Sequence, residues 1–147
     1  MEITMAVFSE SATIREDGLR DLYGLFRIIE TPVVPYRHPV MSLALTFRAG
    51  PGEKGALKDV DLHIVDDDGR LVAPVRSSYV MAPTNAYGVE PEVDQVLDIV
   101  GLTFPRYGKY HFDILINGDS KRQLELIVCP PSEPCLERGH ESEEEMR

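Results

Sequence analysis

Residues 107–128 read YGKYHFDILINGDSKRQLELIV, and the way this stretch alternates decides the fold class. Tyr110, Phe112, Ile114 and Ile116 fall on one side of an extended chain, and Leu124, Leu126 and Val128 fall on one side of the strand that follows Asn117-Gly118. Side chains of a strand point to opposite faces with period two, so residues paired across a hairpin must share a face. A two-residue Asn117-Gly118 turn pairs Tyr110 with Glu125 and Phe112 with Gln123, which sends the two apolar rows to opposite sides. An odd loop, Ile116-Asn117-Gly118 with Gly118 in the left-handed region at a bulge, pairs Tyr110 with Leu124 and restores one apolar face.

The same reasoning extends upstream. Val60, Leu62 and Ile64 precede DDDG, and Leu71, Ala73 and Val75 follow it. A four-residue loop over Asp66–Gly69 sets Ile64 against Leu71, Leu62 against Ala73 and Val60 against Val75, with Asp59, Asp61 and His63 turned outward. Asp17-Gly18 marks a third turn. Alternation recurs along the whole chain and no segment carries a helical stripe over three turns, so the chain reads as all-β. Eight strands are expected: EITMAVFS, LRDLYGLFRII, VMSLALTFRA, LKDVDLHIV, LVAPVRSSYVM, VDQVLDIVGLTF, KYHFDILI and RQLELIV. That number in one domain predicts a single antiparallel β-sandwich, immunoglobulin-like or related, over residues 1–129. Residues 130–147, PPSEPCLERGHESEEEMR, are Pro-rich and then Glu-rich, and predict a disordered acidic C-terminal tail.

The chain has 147 residues, enough to bury roughly two-thirds of its unfolded surface without a disulfide or metal. Its formal charge of -10, with no Lys/Arg cluster, repels nucleic acid and anionic lipid. MEITMAVFSES lacks the basic start and apolar run of a signal peptide, and no stretch of about twenty apolar residues occurs, so the expected location is the cytoplasm. There Cys129 and Cys135 are expected to stay thiols.

Residue types with chemical potential are few. Tyr110, entered through Gly108, fits the tyrosine that turns its hydroxyl back onto the backbone at a sheet-to-sheet corner of immunoglobulin-like folds. Asp66, Asp67 and Asp68 suggest a calcium-binding alternative, but they lack the alternate spacing of an EF-hand loop and suit a solvated hairpin tip. Cys129, Cys135 and His140 lack zinc spacing and a fourth ligand. His38, His63, His111 and His140 are scattered, with His63 and His111 on outward parity. Ser9 and Ser11, in VFSESAT, have no nucleophile elbow, which leaves a hydrolase as a remote alternative. No catalytic set, metal or cofactor is therefore assigned. The Pro-rich segment ETPVVPYRHP and the loop APTNAYGVEPE are expected to stay out of central strands. Tyr36, Arg37, His38 and Tyr87 within them are candidate contacts for a protein partner. The expected function is a non-catalytic protein-binding or assembly module, acting through end loops or through an edge strand that a partner, or a second copy, extends.

An N-terminal strand, then GLFRI (24–28), TPVVPYRHP (31–39), LHIVDDDGRLV (62–72) and GLTFPRYGKYHFDILING (101–118), resembles a family of short bacterial proteins catalogued as a domain of unknown function. The resemblance covers most of residues 1–128 and omits the acidic tail. It implies a compact sandwich and brings no catalytic residues with it.

Overall fold

The computed structural model describes residues 1–50, 52–53, 55–82 and 92–131. Within them the chain is all-β without helix, in nine strands: β1 (Glu2–Ile14), β2 (Arg20–Phe26), β3 (Ile28–Glu30), β4 (Tyr36–Arg48), β5 (Leu57–Val65), β6 (Arg76–Met81), β7 (Glu92–Phe104), β8 (Gly108–Ile116) and β9 (Asp119–Cys129). They form a four-stranded sheet, β2-β1-β4-β7, and a five-stranded sheet, β3-β9-β8-β5-β6. The second sheet is curled like half a barrel. Tyr87 and the segment 132–147, including Cys135 and His140, lie outside the described residues. Cys129, at the end of β9, is disulfide-bonded rather than the free thiol expected.

One apolar core joins the sheets. Met41, Leu43, Leu45 and Phe47 of β4 meet Leu62 and Ile64 of β5 and Phe112 and Ile114 of β8. The ring of Phe8 stands edge-on to that of Phe112 at 4.7 Å, and Phe104 likewise to Tyr110 at 5.0 Å. Each such buried side chain contributes roughly 1.5–3 kcal/mol.

The β8–β9 hairpin keeps its apolar rows on one face, but by a different device from the one expected. Ile116 pairs with Asp119, so the turn is the two-residue Asn117-Gly118, with φ of 50° and 87°. The register then shifts between Leu115 and Ile114, where Lys121 is the extra residue of a bulge. Phe112 therefore faces Leu124 and Tyr110 faces Leu126, two residues away from the Tyr110–Leu124 pairing the sequence suggested. An Asn-Gly pair fits a tight turn with two positive φ angles, and the bulge supplies the odd residue that the apolar pattern demands.

Three further expectations change. LRDLYGLFRII breaks at Arg27 into β2 and β3, so the chain passes from one sheet to the other, and β3 runs parallel to β9 in an otherwise antiparallel structure. LVAPVRSSYVM gives only the six-residue β6. Pro74 lies in the irregular stretch before it, Val65 rather than Ile64 bridges Leu71, and Leu62 and Val60 face Arg76 and Ser78. ETPVVPYRHP ends inside β4, with Pro39 in the strand. β4 lies between β1 and β7, yet its pairing with β1 begins only at Ser42, so Pro39 sits where β4 has one neighbour.

The β1–β2 hairpin is not flat. Its turn at Asp17-Gly18 is as expected, with Gly18 at φ 85°. Arg20 pairs with Ile14, which a straight strand would carry about 30 Å from Met5. Yet the Arg20 Nη1 lies 3.7 Å from the Met5 sulfur and 2.7 Å from Thr46 Oγ1, and its Nε lies 3.3 Å from Asp94. The outer half of the hairpin is therefore folded back over the outward face of the four-stranded sheet. Gly24, at φ +68°, permits the bend, since a Cβ there would stand 2.7 Å from the Glu10 carboxylate. This arm explains why Ser9, Ser42, Ala44 and Thr46, all of outward parity, are buried.

Candidate functional site

The crossing at Arg27 leaves a seam between the sheets. β1 pairs with β2 only from Phe8 onward, so its edge from Glu2 to Val7 has no neighbouring strand among the described residues. β9 pairs with β3 only over Ile127–Cys129, so its edge from Asp119 to Leu126 is likewise open. These two edges border a groove of about 1050 Å³. Ala6, Phe8, Phe26 and Leu124 give it an apolar floor, and Arg27, Glu30, Arg122, Gln123 and Glu125 belong to its exposed rim.

Backbone direction along the β9 edge follows from one bond. The Ile127 N–H donates to the Arg27 carbonyl, so odd-numbered residues of β9 turn their polar backbone toward β3. By the two-residue repeat, Glu125 and Gln123 turn N–H and C=O toward the vacant continuation of that edge. At the far end of the seam Arg122 donates to the Ile3 carbonyl across a 3.5 Å gap. Arg122 shares the register parity of Ile114 but is exposed. A charge on the edge and a bulge are devices that keep an open edge from pairing indiscriminately.

The residues singled out from sequence are distributed as follows. Tyr36, Arg37 and His38 lie at the start of β4 rather than in a loop. Beyond Ile99 the buried positions of β7 move to Leu102 and Phe104, with Gly101 at φ +68° taking up the change. β4 follows in unbroken register, so Tyr36 and His38 turn to the side of Phe104 and Leu102. Tyr36 Oη and His38 Nδ1 are 3.1 Å apart, and the imidazole stands 6.1 Å from the Phe26 ring. Burial holds this imidazole below its ordinary pKa, opposed by the Val40 backbone and the Glu10 charge. Arg37 points the other way, over Gly101, where a Cβ would come within 2.5 Å of its guanidinium. The three residues therefore do not form one surface.

Asp66 is committed within its own turn. Its Oδ1 accepts the Asp68 and Arg70 amides at 2.9 and 3.0 Å, and its Oδ2 meets the Arg106 guanidinium at 2.7 Å. The Arg70 amide lowers its pKa most, burial opposes this, and the Asp68 amide and Arg106 add to the lowering. A guanidinium thus stands where a calcium ion would need those oxygens. Asp67 lies 3.6 Å from His111, and no group of metal-ligating side chains occurs among the described residues. Ser9 is fully buried beneath the arm, its hydroxyl without a partner among the described residues. Tyr110 forms the corner: its hydroxyl donates to the Arg106 carbonyl at 2.7 Å and accepts the Arg106 N–H at 3.1 Å. No helix among the described residues is long and apolar enough to cross a membrane.

Sequence reasoning missed the seam, because it arises where LRDLYGLFRII changes sheets and the run carries no Pro or turn pair to mark the change. Arg27 between Phe26 and Ile28 was the available signal.

No curated protein matches the chain. Among solved structures it is similar to Pseudomonas fluorescens alkylpurine DNA glycosylase AlkC bound to DNA containing an abasic site analog, with 16% identity, a TM-score of 0.44, and coverage of 70% of this chain and 28% of that one. It is also similar to a beta-glucuronidase from glycoside hydrolase family 2, with 17% identity, a TM-score of 0.33, and coverage of 67% and 12%. The chain thus spans about a quarter of the first protein and an eighth of the second. A family model, that of the family of unknown function DUF6941, matches residues 4–129, and the chain belongs to that family.

Proposed function

We propose that the protein is a non-catalytic binding or assembly module whose open β9 edge accepts an extended segment of a partner protein as an added strand. The observation that carries this reading is the pair of strand edges that no described strand occupies, beside an apolar groove. A strand edge with unpaired backbone groups is a template for another strand, and side-chain pockets beside it select which segment binds. β3 occupies the same edge at Ile127–Cys129, so a partner strand would continue a ladder that the chain itself begins. The strand order and the Tyr110 corner support an immunoglobulin-like sandwich as the frame. The acidic balance of the chain disfavours nucleic acid and anionic membrane as targets.

Glu125→Pro tests the edge directly. It removes an N–H that faces the groove and leaves the ladder to β8 in place, as edge strands tolerate. Tagged wild type is expected to retain a partner that Glu125→Pro loses, and addition of that purified partner is expected to slow amide exchange at Gln123 and Glu125. Equal retention by both proteins, with those amides still exchanging freely, would refute strand addition.

A further inference from the structure

Resting on that reading, we infer that the accepted segment is acidic at one position, and that Arg122 is the residue that selects it. Arg122 shares the register parity of Ile114 but is exposed, at the end of the groove. The only hydrogen bond of its side chain among the described residues is a long one, 3.5 Å, to a neutral backbone carbonyl of Ile3. Among the described residues neither Arg122 nor Arg27, which lines the same groove, has a carboxylate within ion-pair distance. Two carboxylates line the groove: Glu125 is turned to Lys109 at 3.7 Å, and Glu30 stands at the β3 end, level with Cys129 and seven residues along β9 from Arg122.

Arg37, Arg70 and Arg76 also lack a carboxylate partner among the described residues, but Arg27 and Arg122 are the two basic residues that line the groove. A guanidinium binds a carboxylate through two parallel bonds, each stronger than a bond to a neutral carbonyl, so an incoming carboxylate displaces Ile3 as the partner of Arg122. Beside Arg122 on the same face of β9 stands Leu124, with Phe8 across the seam. The segment that fits is extended, with apolar residues at alternate positions followed, on that same face, by an acidic one. The charge and backbone edges recognise this pattern; no globular surface is required.

The test uses the full chain and synthetic hexapeptides that alternate Thr with Val, Val and Glu, in both sequence directions, and the same peptides with Lys for Glu. Binding is followed by amide chemical shifts. The Glu peptide is expected to perturb Gln123, Glu125 and Ala6–Phe8, and to bind about fivefold more tightly than the Lys peptide at low salt. Arg122→Gln is expected to abolish that preference while keeping the perturbed residues the same. Equal binding of Glu and Lys peptides at the edge would overturn the acidic assignment and leave strand addition standing. Shifts confined to other surfaces, or none at millimolar peptide, would overturn both. Self-association of the protein alone, lost in Arg122→Gln, would assign the seam to a second copy and overturn the proposal of a foreign segment.

Discussion

Tyr110 shows what one hydroxyl contributes at the corner between β7 and β8. Its ring is fully buried against Phe104, while its oxygen both donates to and accepts from Arg106, so the backbone at the corner is satisfied without water. Tyr110→Phe keeps the packing and leaves the Arg106 N–H and carbonyl without that partner. We expect a loss of about 1 kcal/mol in urea unfolding, and a neutral result would show that the corner does not depend on the bond. Glu53 makes a different prediction. The Lys58 ammonium, the Met1 amino group and the Gly50 amide hold its pKa at about 2, against 4.5 when unperturbed. The folded state therefore binds this proton less readily than the unfolded chain. The contribution to stability is present above about pH 4.5 and disappears as pH falls toward 2. Glu53→Gln is expected to flatten stability against pH in that window, as measured by urea midpoints at each pH. An unchanged slope would remove Glu53 from the acid response.

Among the elements, the β8–β9 hairpin was legible in outcome and not in detail. Apolar rows at Tyr110–Ile116 and Leu124–Val128 required one shared face, and Phe112 opposite Leu124 satisfies them. The position of the bulge, at Lys121 rather than in the turn, was not legible, because either location restores parity equally well. A Cβ added at Gly118, where φ is 87°, would meet no atom within 4 Å, so the cost of substitution there is purely one of backbone conformation. Gly118→Val is expected to destabilise by more than about 1 kcal/mol in thermal and urea unfolding. The β1–β2 arm was not legible at all. Gly24 looked like an ordinary strand residue, and the fold-back depends on Arg20 meeting Thr46 and Asp94 far along the chain. Arg20→Met is expected to cost roughly 0.5–1 kcal/mol and to speed amide exchange over Glu10–Gly24, with β8 and β9 unchanged. Uniform exchange in the variant and wild type would mean that packing alone holds the arm down.

At the scale of the whole molecule, alternation along the chain was enough to give an all-β protein with a single shared core. It could not give the strand count, the parallel pair or the seam, since all three follow from Arg27, where a run read as one strand changes sheets. The candidate site was legible only as a class of feature, an edge strand open to extension, and the residues first favoured, Tyr36, Arg37 and His38, turn out to face two ways. The parallel pairing of β3 with β9 has a consequence for synthesis on the ribosome. β3 emerges early and β9, its strand partner among the described residues, emerges late, so the wall between the sheets stays unfinished until translation has passed Ile127. Chains interrupted before that point would leave Ile29 uncovered and the interior accessible along its whole flank, a state that chaperones and proteases recognise.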